Sequence, residues 1–438
     1  MAYQEAMEYL QNLTKFGINL GLERITELLR RLDNPHRKIR VIHIGGTNGK
    51  GSTTAMLAAV LQKAGYRAGA FTSPHLHAYT ERYRINGAQI EPERVTRLIG
   101  MLRPHLESMV REGFEHPTEF EVSTAIAFQY FYEEEVDFLV LEVGMGGAID
   151  STNVVRPLLS VITNVAMDHM DYLGDTLVEI ARVKAGIIKP EVPVITASEE
   201  PSVVGVIESA CRERGSPLTR VGVDVSWLPG KSSLQGQYFH YRGIKRRLEE
   251  LMIPLLGEHQ LINAATALAS LEILEQRGHV LLDESALRRG LASTVWPARL
   301  ELLGTEPPVL IDGAHNYEGA RSLRRSLDEY FPGRGVIMVM GMLGDKERAK
   351  VVAELAPRAR HVIITKPNSP RAGDWAGMAE EARRFAQQVD MVEDIESAVH
   401  AGMAAARPGD LVCVTGSLYM VADARKTLLN LVGNKMWG

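Results

Sequence analysis

Cysteine is almost missing from this chain. Two residues in 438, Cys211 and Cys413, have no metal-like spacing, which excludes a disulfide framework or zinc site and argues for reduced thiols in the core. Long apolar runs are missing too, since no stretch reaches about eighteen uncharged apolar residues, and no membrane span is expected. The opening MAYQEAMEYLQNL lacks a basic start followed by an apolar block, so the expected setting is cytoplasmic. Positive charge is not in excess: 49 Lys and Arg face 54 Asp and Glu, a net charge of −5. The surface as a whole attracts neither nucleic acid nor anionic membrane, and an anionic ligand needs a local site. Fixed-period repeats and low-complexity tracts are also absent, which excludes a solenoid. What remains is an ordinary globular mixture, 45% hydrophobic and 24% charged with 39 glycines, long enough for two or three domains.

Apolar spacing organises that mixture. Leu10 and Leu13, then Leu22, Ile25, Leu28 and Leu29, read as two short helices ending near Asn34-Pro35. Residues 40–44 read as a strand, followed by a glycine loop and a helix with Leu57, Val60, Leu61 and Ala64 on one face. A strand follows at 67–72, then helices at 93–112 and 119–132, the apolar strand DFLVLEV, a strand over 158–165 and a helix ending near Ala185. Alternating strands and helices predict a doubly wound α/β fold with a mostly parallel sheet, where ligands gather at the carboxyl ends of strands. Between Val221 and Pro254 short alternation predicts a small antiparallel patch, and helices at 261–277 and 284–292 close this part. The proline-marked TVWPARLE precedes a fresh βα series (VLIDGAHN, VIMVMGML, HVIITKP, DLVCVTGSLYM), which predicts a second, Rossmann-like α/β domain. The expected domains are 1–295 and 296–438.

Chemistry concentrates at the predicted strand ends. In HIGGTNGKGS the glycines let several backbone N–H groups face one concavity, the next helix adds its positive end, and Lys50 adds a charge. Thr47, Asn48, Gly49, Lys50, Gly51 and Ser52 therefore form the expected phosphate cradle. The usual phosphate loop has Ser or Thr directly after its lysine to bind Mg²⁺, and here that place is Gly51. Ser73 and Glu142, each at a strand end, are the candidate oxygen ligands instead; the plainer reading of Glu142 is a solvated strand-end carboxylate. His169 reads equally well as a ligand of a second metal or as a polar helix cap near Asp168 and Asp171. Lys184 interrupts the stripe Leu177, Ile180, Ala181, Ile187, Ile188. It is either a snorkelling lysine or a buried amine of lowered pKa that takes up CO₂ as a carbamate. Asp312 and His315 in DGAHN, with Arg299 in WPAR, suggest a site completed by closure of two halves.

These residues stand in motifs that resemble a known family. GTNGKGS, TSPHL, LEVGMGGAIDSTNV, MDHMDYLGDT, KAGIIK, GEHQLINAATALA, PAR, DGAHN and TGSLYM follow the order seen in folylpolyglutamate synthases, the folate branch of the Mur ligase superfamily. The resemblance implies an ATP- and Mg²⁺-dependent ligase that joins L-glutamate to the γ-carboxylate of a folate or folylpolyglutamate through an acyl phosphate, or one that also makes dihydrofolate from dihydropteroate. It implies catalytic roles for Lys50, Lys184, Asp312 and His315, ATP contacts from Asn263 and Arg299, and closure of Asp312 and His315 on the nucleotide and glutamate side. Two Mg²⁺ ions are implied, on Ser73 and Glu142 and on His169, with Lys184 carbamylated beside the latter. A monomer is expected. Many relatives have GLGGRLDATN where this chain has GMGGAIDSTN, so Ala148 replaces an arginine, and PTEFEVSTAIAF resembles the segment near the family's pterin site.

Overall fold

FLVLE becomes a central strand because its run of four apolar residues shuns water on both faces: Phe138–Glu142 is buried along its whole length. The computed structural model describes residues 2–17, 19–304 and 306–435. Its first sheet contains β1 (Val41–Gly45), β2 (Ala68–Phe71), β3 (Tyr83–Ile85), β4 (Ala88–Gln89), β5 (Phe138–Glu142), β6 (Leu159–Ile162), β7 (Val194–Thr196) and β8 (Leu218–Arg220), in the order β4-β3-β2-β5-β1-β6-β7-β8. All pairings are parallel except those of β3 with β2 and β4. That edge hairpin carries no periodic signal in so few residues, and the sequence did not announce it.

Neighbouring strand residues serve opposite cores. Ile42, Ile44 and Val140 pack with the helices Lys50–Lys63 and Glu258–Gln276, whereas Val41, Leu139 and Leu141 pack with the four helices Tyr3–Leu13, Glu23–Arg31, Pro92–Arg111 and Glu119–Glu133. Each fully buried side chain of this size contributes roughly 1.5–3 kcal/mol. Because β1 lies between β5 and β6, the loops after these three strands open at one place in the sheet.

The expected antiparallel patch is a three-stranded sheet, β9 (Ser226–Ser233), β10 (Gly236–Arg242) and β11 (Arg247–Ile253), whose Phe239, Tyr241 and Leu251 close the first core. The second α/β series forms a six-stranded sheet of β12 (Glu301–Leu303), β13 (Val309–Ile311), β14 (Val336–Met340), β15 (His361–Ile364), β16 (Gln388–Met391) and β17 (Leu411–Thr415), ordered β12-β13-β17-β14-β15-β16. Only β12 runs antiparallel among them. Among the described residues no helix is long and apolar enough to cross a membrane.

Candidate active site

The loop after β1 is shaped by contacts that forbid side chains. A Cβ on Gly46 (φ 134°) would lie 2.0 Å from Thr163 Oγ1, and one on Gly49 (φ 84°) 2.3 Å from Asn263 Oδ1. A Cβ on Gly51 would lie 2.5 Å from Cζ2 of Trp296. A side chain after Lys50 would therefore press on the Trp296 indole, so glycine there serves packing and leaves the loop without its usual hydroxyl. The loop after β6 fixes the rest: Thr47 N–H donates to Asn164 O at 2.8 Å, Asn48 N–H to Asn164 Oδ1 at 2.8 Å, and Thr163 Oγ1 to Asn48 O at 2.7 Å. Gly49 caps the helix Lys50–Lys63, whose first turn holds Gly51 and Ser52. Lys50 Nζ folds back onto Gly46 O (3.2 Å) and Thr47 O (3.0 Å), leaving its charge inside the loop.

Glu142 and Ser73, the two candidate oxygen ligands, lie side by side. Ser73 N–H donates to Glu142 Oε2 at 3.2 Å, the one hydrogen bond of that carboxylate among the described residues. Burial pushes the Glu142 carboxyl up to about 7, against the pull of Lys50, the Ser73 N–H and Arg299. A buried carboxylate with a free oxygen and no bonded cation suits a hard divalent ion. Among the described residues no three His, Cys, Asp or Glu side chains form a metal cage. A Mg²⁺ held by one or two protein oxygens and by phosphates needs none.

Lys184 is buried in the last turn of the helix Leu177–Ala185, and its Nζ donates to Gly46 O at 2.9 Å. Burial, reinforced by the Lys50 ammonium, brings it down to about 7. The lysine does not snorkel. Gly147 makes this possible, because a Cβ there would lie 2.8 Å from Val183 O, so the loop after β5 lies directly on the end of that helix. His169 occupies the position before the short helix Met170–Leu173, yet its ring makes no capping hydrogen bond. Burial lowers it to about 4, which keeps a neutral imidazole available as a ligand.

The second half reaches across to this cluster. Asp312 accepts N–H bonds from Leu300 and Ala314, both at 2.9 Å, and burial raises its carboxyl despite the Arg299 charge. Asn316 and Asn48 exchange amide hydrogen bonds of 3.0 and 3.3 Å. Asp168, 9% exposed, receives Lys346 Nζ and lies 3.5 Å from His315 Nε2 and 3.9 Å from His169 Nε2. Burial alone would raise the Asp168 carboxyl; the His315 hydrogen bond and the Lys346 ammonium hold it well below the carboxylate range instead.

Two cavities meet here. One, about 370 Å³, is lined by the glycine loop, Lys184, Asn263, Arg299, Asp312 and His315; burial pushes His259 on its wall down to about 4, with its Nδ1 2.7 Å from Ser322 Oγ. The other, about 340 Å³, is walled by Arg82, Thr118–Phe120, Ile149–Ser151, Lys346 and Leu418–Tyr419. Ser73, Gly144, His169 and His315 line both. Thr118 caps its helix with Glu121, and Thr118, Glu119 and Phe120 of PTEFEV stand in the wall of this second cavity. Ala148 lies outside that lining and faces Gly186. The candidate nucleotide-binding, catalytic and metal-binding residues named from the sequence all line the first cavity. Lys346, His259, Asn316 and Trp296 were not singled out. Lys346 stands in GDKER, an ordinary surface pattern, and no local signal marks it; Asp168 was visible only as the neighbour of His169.

Residues 44–271 match the Mur ligase middle domain, and residues 298–418 match the Mur ligase, glutamate ligase domain. The chain is 38% identical over 434 residues to the dihydrofolate synthase/folylpolyglutamate synthase of Bacillus subtilis (strain 168), covering 98% of this chain and 99% of that protein. It is 35% identical over 431 residues to the folylpolyglutamate synthase of Lacticaseibacillus casei, with 98% and 99% covered. Among solved structures, Mycobacterium tuberculosis folylpolyglutamate synthase complexed with ADP and AMPPCP matches with a TM-score of 0.91 at 32% identity, covering 97% of this chain and 98% of that one. E. coli FolC in complex with DHPP and ADP matches with a TM-score of 0.87 at 31% identity, with 98% of each covered.

Proposed function

The chain belongs to the folylpolyglutamate and dihydrofolate synthase family of Mur ligases, and from that premise we propose that it joins L-glutamate to the γ-carboxylate of a reduced folate or folylpolyglutamate, consuming ATP. The observation that carries this reading is the junction of the two cavities at Ser73, Gly144, His169 and His315. A nucleotide in the loop cavity and a folate in the neighbouring one bring a terminal phosphate and an acceptor carboxylate to the same shared wall.

The acceptor carboxylate attacks the γ-phosphorus, ADP leaves, and the glutamate amine then displaces phosphate from the acyl phosphate through a tetrahedral intermediate. The loop N–H groups and Lys50 hold the phosphates and their growing charge. Asn263 and Arg299 fix the nucleotide from the far side, and Asp312 and His315 bring the second half onto it. Ser73 and Glu142 would hold one Mg²⁺ and His169 a second; bound there, Mg²⁺ neutralises charge on the transferring group. No side chain need act as nucleophile, because alignment and charge supply the acceleration. A boundary between 295 and 296 fits this scheme, since strands of the second sheet begin at Glu301. One chain lines both cavities, which supports a monomer, and the free, buried Cys211 and Cys413 suit a reducing cytoplasm.

The dihydropteroate reading uses the same site and is favoured by the double name of the B. subtilis relative. Mass spectrometry of reactions with ATP, Mg²⁺ and L-glutamate, run with dihydropteroate and with a reduced folate, separates them. Glutamate on the folate alone means a dedicated synthase, and on both a bifunctional one. ATP consumption without either product would sink the substrate assignment.

Lys184 gives a separate prediction. Its lowered pKa leaves a neutral amine above about pH 7, able to bind CO₂ with release of a proton. With ¹³C-bicarbonate, a carbamate carbonyl signal is expected in NMR, growing between about pH 6 and 8 and missing in Lys184→Ala. A parent enzyme without that signal at pH 8 would remove the carbamate from the scheme.

A further inference from the structure

Arg425 lies on the helix Leu418–Lys435 and lines neither cavity, yet it touches the supports of both. Arg299 sits in a turn whose flanking residues, Ala298 and Leu300, have φ of 58° and 44°, values that side-chain-bearing residues resist. Such a turn persists where surrounding bonds over-determine it. Leu300 N–H is held by Asp312 Oδ2 and Ala298 N–H by Glu301 Oε2, both at 2.9 Å, while Gly313 N–H donates to Ala298 O at 3.0 Å.

Glu301 is itself gripped from behind. Arg425 Nε donates to Oε2 at 2.8 Å and Nη2 to Oε1 at 2.7 Å, a two-pronged pairing with little solvent around either group. The remaining nitrogen, Nη1, donates to His77 Nε2 at 3.0 Å. His77 belongs to the loop that starts at Ser73, and Glu81 ties that loop through the N–H groups of Leu76, His77 and Ala78 at 2.9–3.0 Å. Leu76 packs into the core under the second sheet, so the same loop is anchored to the second half by an apolar contact too.

We propose that Arg425 is a positioning residue that holds the Arg299 turn and the Ser73 loop in one register, linking the nucleotide side of the site to the acceptor side. The inference rests on the nucleotide role of Arg299. Lysine keeps the charge but cannot grip two carboxylate oxygens and His77 together. The test measures equilibrium binding of ATP, steady-state ligation and urea unfolding in R425K, E301Q, their double variant, H77A and R299A.

R425K is expected to bind ATP about tenfold more weakly with an unfolding midpoint close to the parent's. E301Q, close to isosteric and the fallback if R425K folds poorly, should do the same. The double variant should be no worse than either single, because both break one link. H77A should lower turnover severalfold with ATP binding unchanged, since it removes the acceptor and cuts only the arm to the Ser73 loop. Parent-like ATP binding and turnover in R425K and E301Q, or additive losses in the double, would overturn the proposal while leaving R299A impaired. Parent-like H77A overturns the linkage to the acceptor side. If R299A itself binds ATP normally, the nucleotide assignment of Arg299 falls and the role of Arg425 with it.

Discussion

Lys50→Ala is expected to lower the rate of glutamate ligation about a thousandfold while leaving the urea unfolding midpoint unchanged. That is about 4 kcal/mol of transition-state stabilisation. The fold should survive because Lys50 Nζ bonds only carbonyls of its own loop among the described residues, at Gly46 and Thr47. Its effect on the site is wider than phosphate contact. The ammonium pulls the Glu142 carboxyl down and pushes the Lys184 amine down. Removing it should therefore raise both pKa values, so that neutral Glu142 and charged Lys184 persist to higher pH. Ligation assayed with ATP and Mg²⁺ across about pH 6–9, beside unfolding at each pH, checks both parts. Turnover near the parent's would sink the phosphate assignment of the loop.

Asp168→Ala should be the most damaging change to stability among the site residues, with a loss of about 3 kcal/mol and turnover down about a hundredfold. The substitution leaves the Lys346 ammonium, whose side chain is 6% exposed, without its carboxylate, and frees His315 and Asn316 from their anchor. The halves then lose the register that brings His315 to the junction. The pH dependence has a definite sign. A carboxyl held below its unfolded value of about 4 stabilises the fold at every pH above that value and loses the contribution as pH falls toward the folded one. Asp168→Ala should thus flatten the acid limb of the stability curve, measured by urea unfolding between pH 3 and 7. An unchanged acid limb would mean that Asp168 does not couple the halves.

Much of this was legible because the local signals were strong. The apolar runs of β1, β5 and β13 fixed the sheets, and Lys50, Glu142 and Asp312 stood out as polar residues at their ends. Lys184 was legible as an oddity in an apolar stripe, though only the approach of Gly147 explains why it stays buried. The clasp on Asp168 was not legible, because Lys346 is 178 residues away and stands among exposed charges. Its significance comes from the order of strands in two sheets, which no local pattern encodes. The hairpin Tyr83–Gln89 escaped for a different reason: strands of three and two residues carry no usable period.

The contact between Gly51 and Trp296 makes two distant codons one unit of inheritance. A Cβ at position 51, as in the ordinary phosphate-loop serine, meets the indole at 2.5 Å, so the ring at 296 has to give way to it. A chain losing the indole first opens a gap beside its loop, and one gaining the hydroxyl first displaces the ring next to the Arg299 turn. Either single step carries a packing cost, so the two positions are expected to change together rather than one at a time.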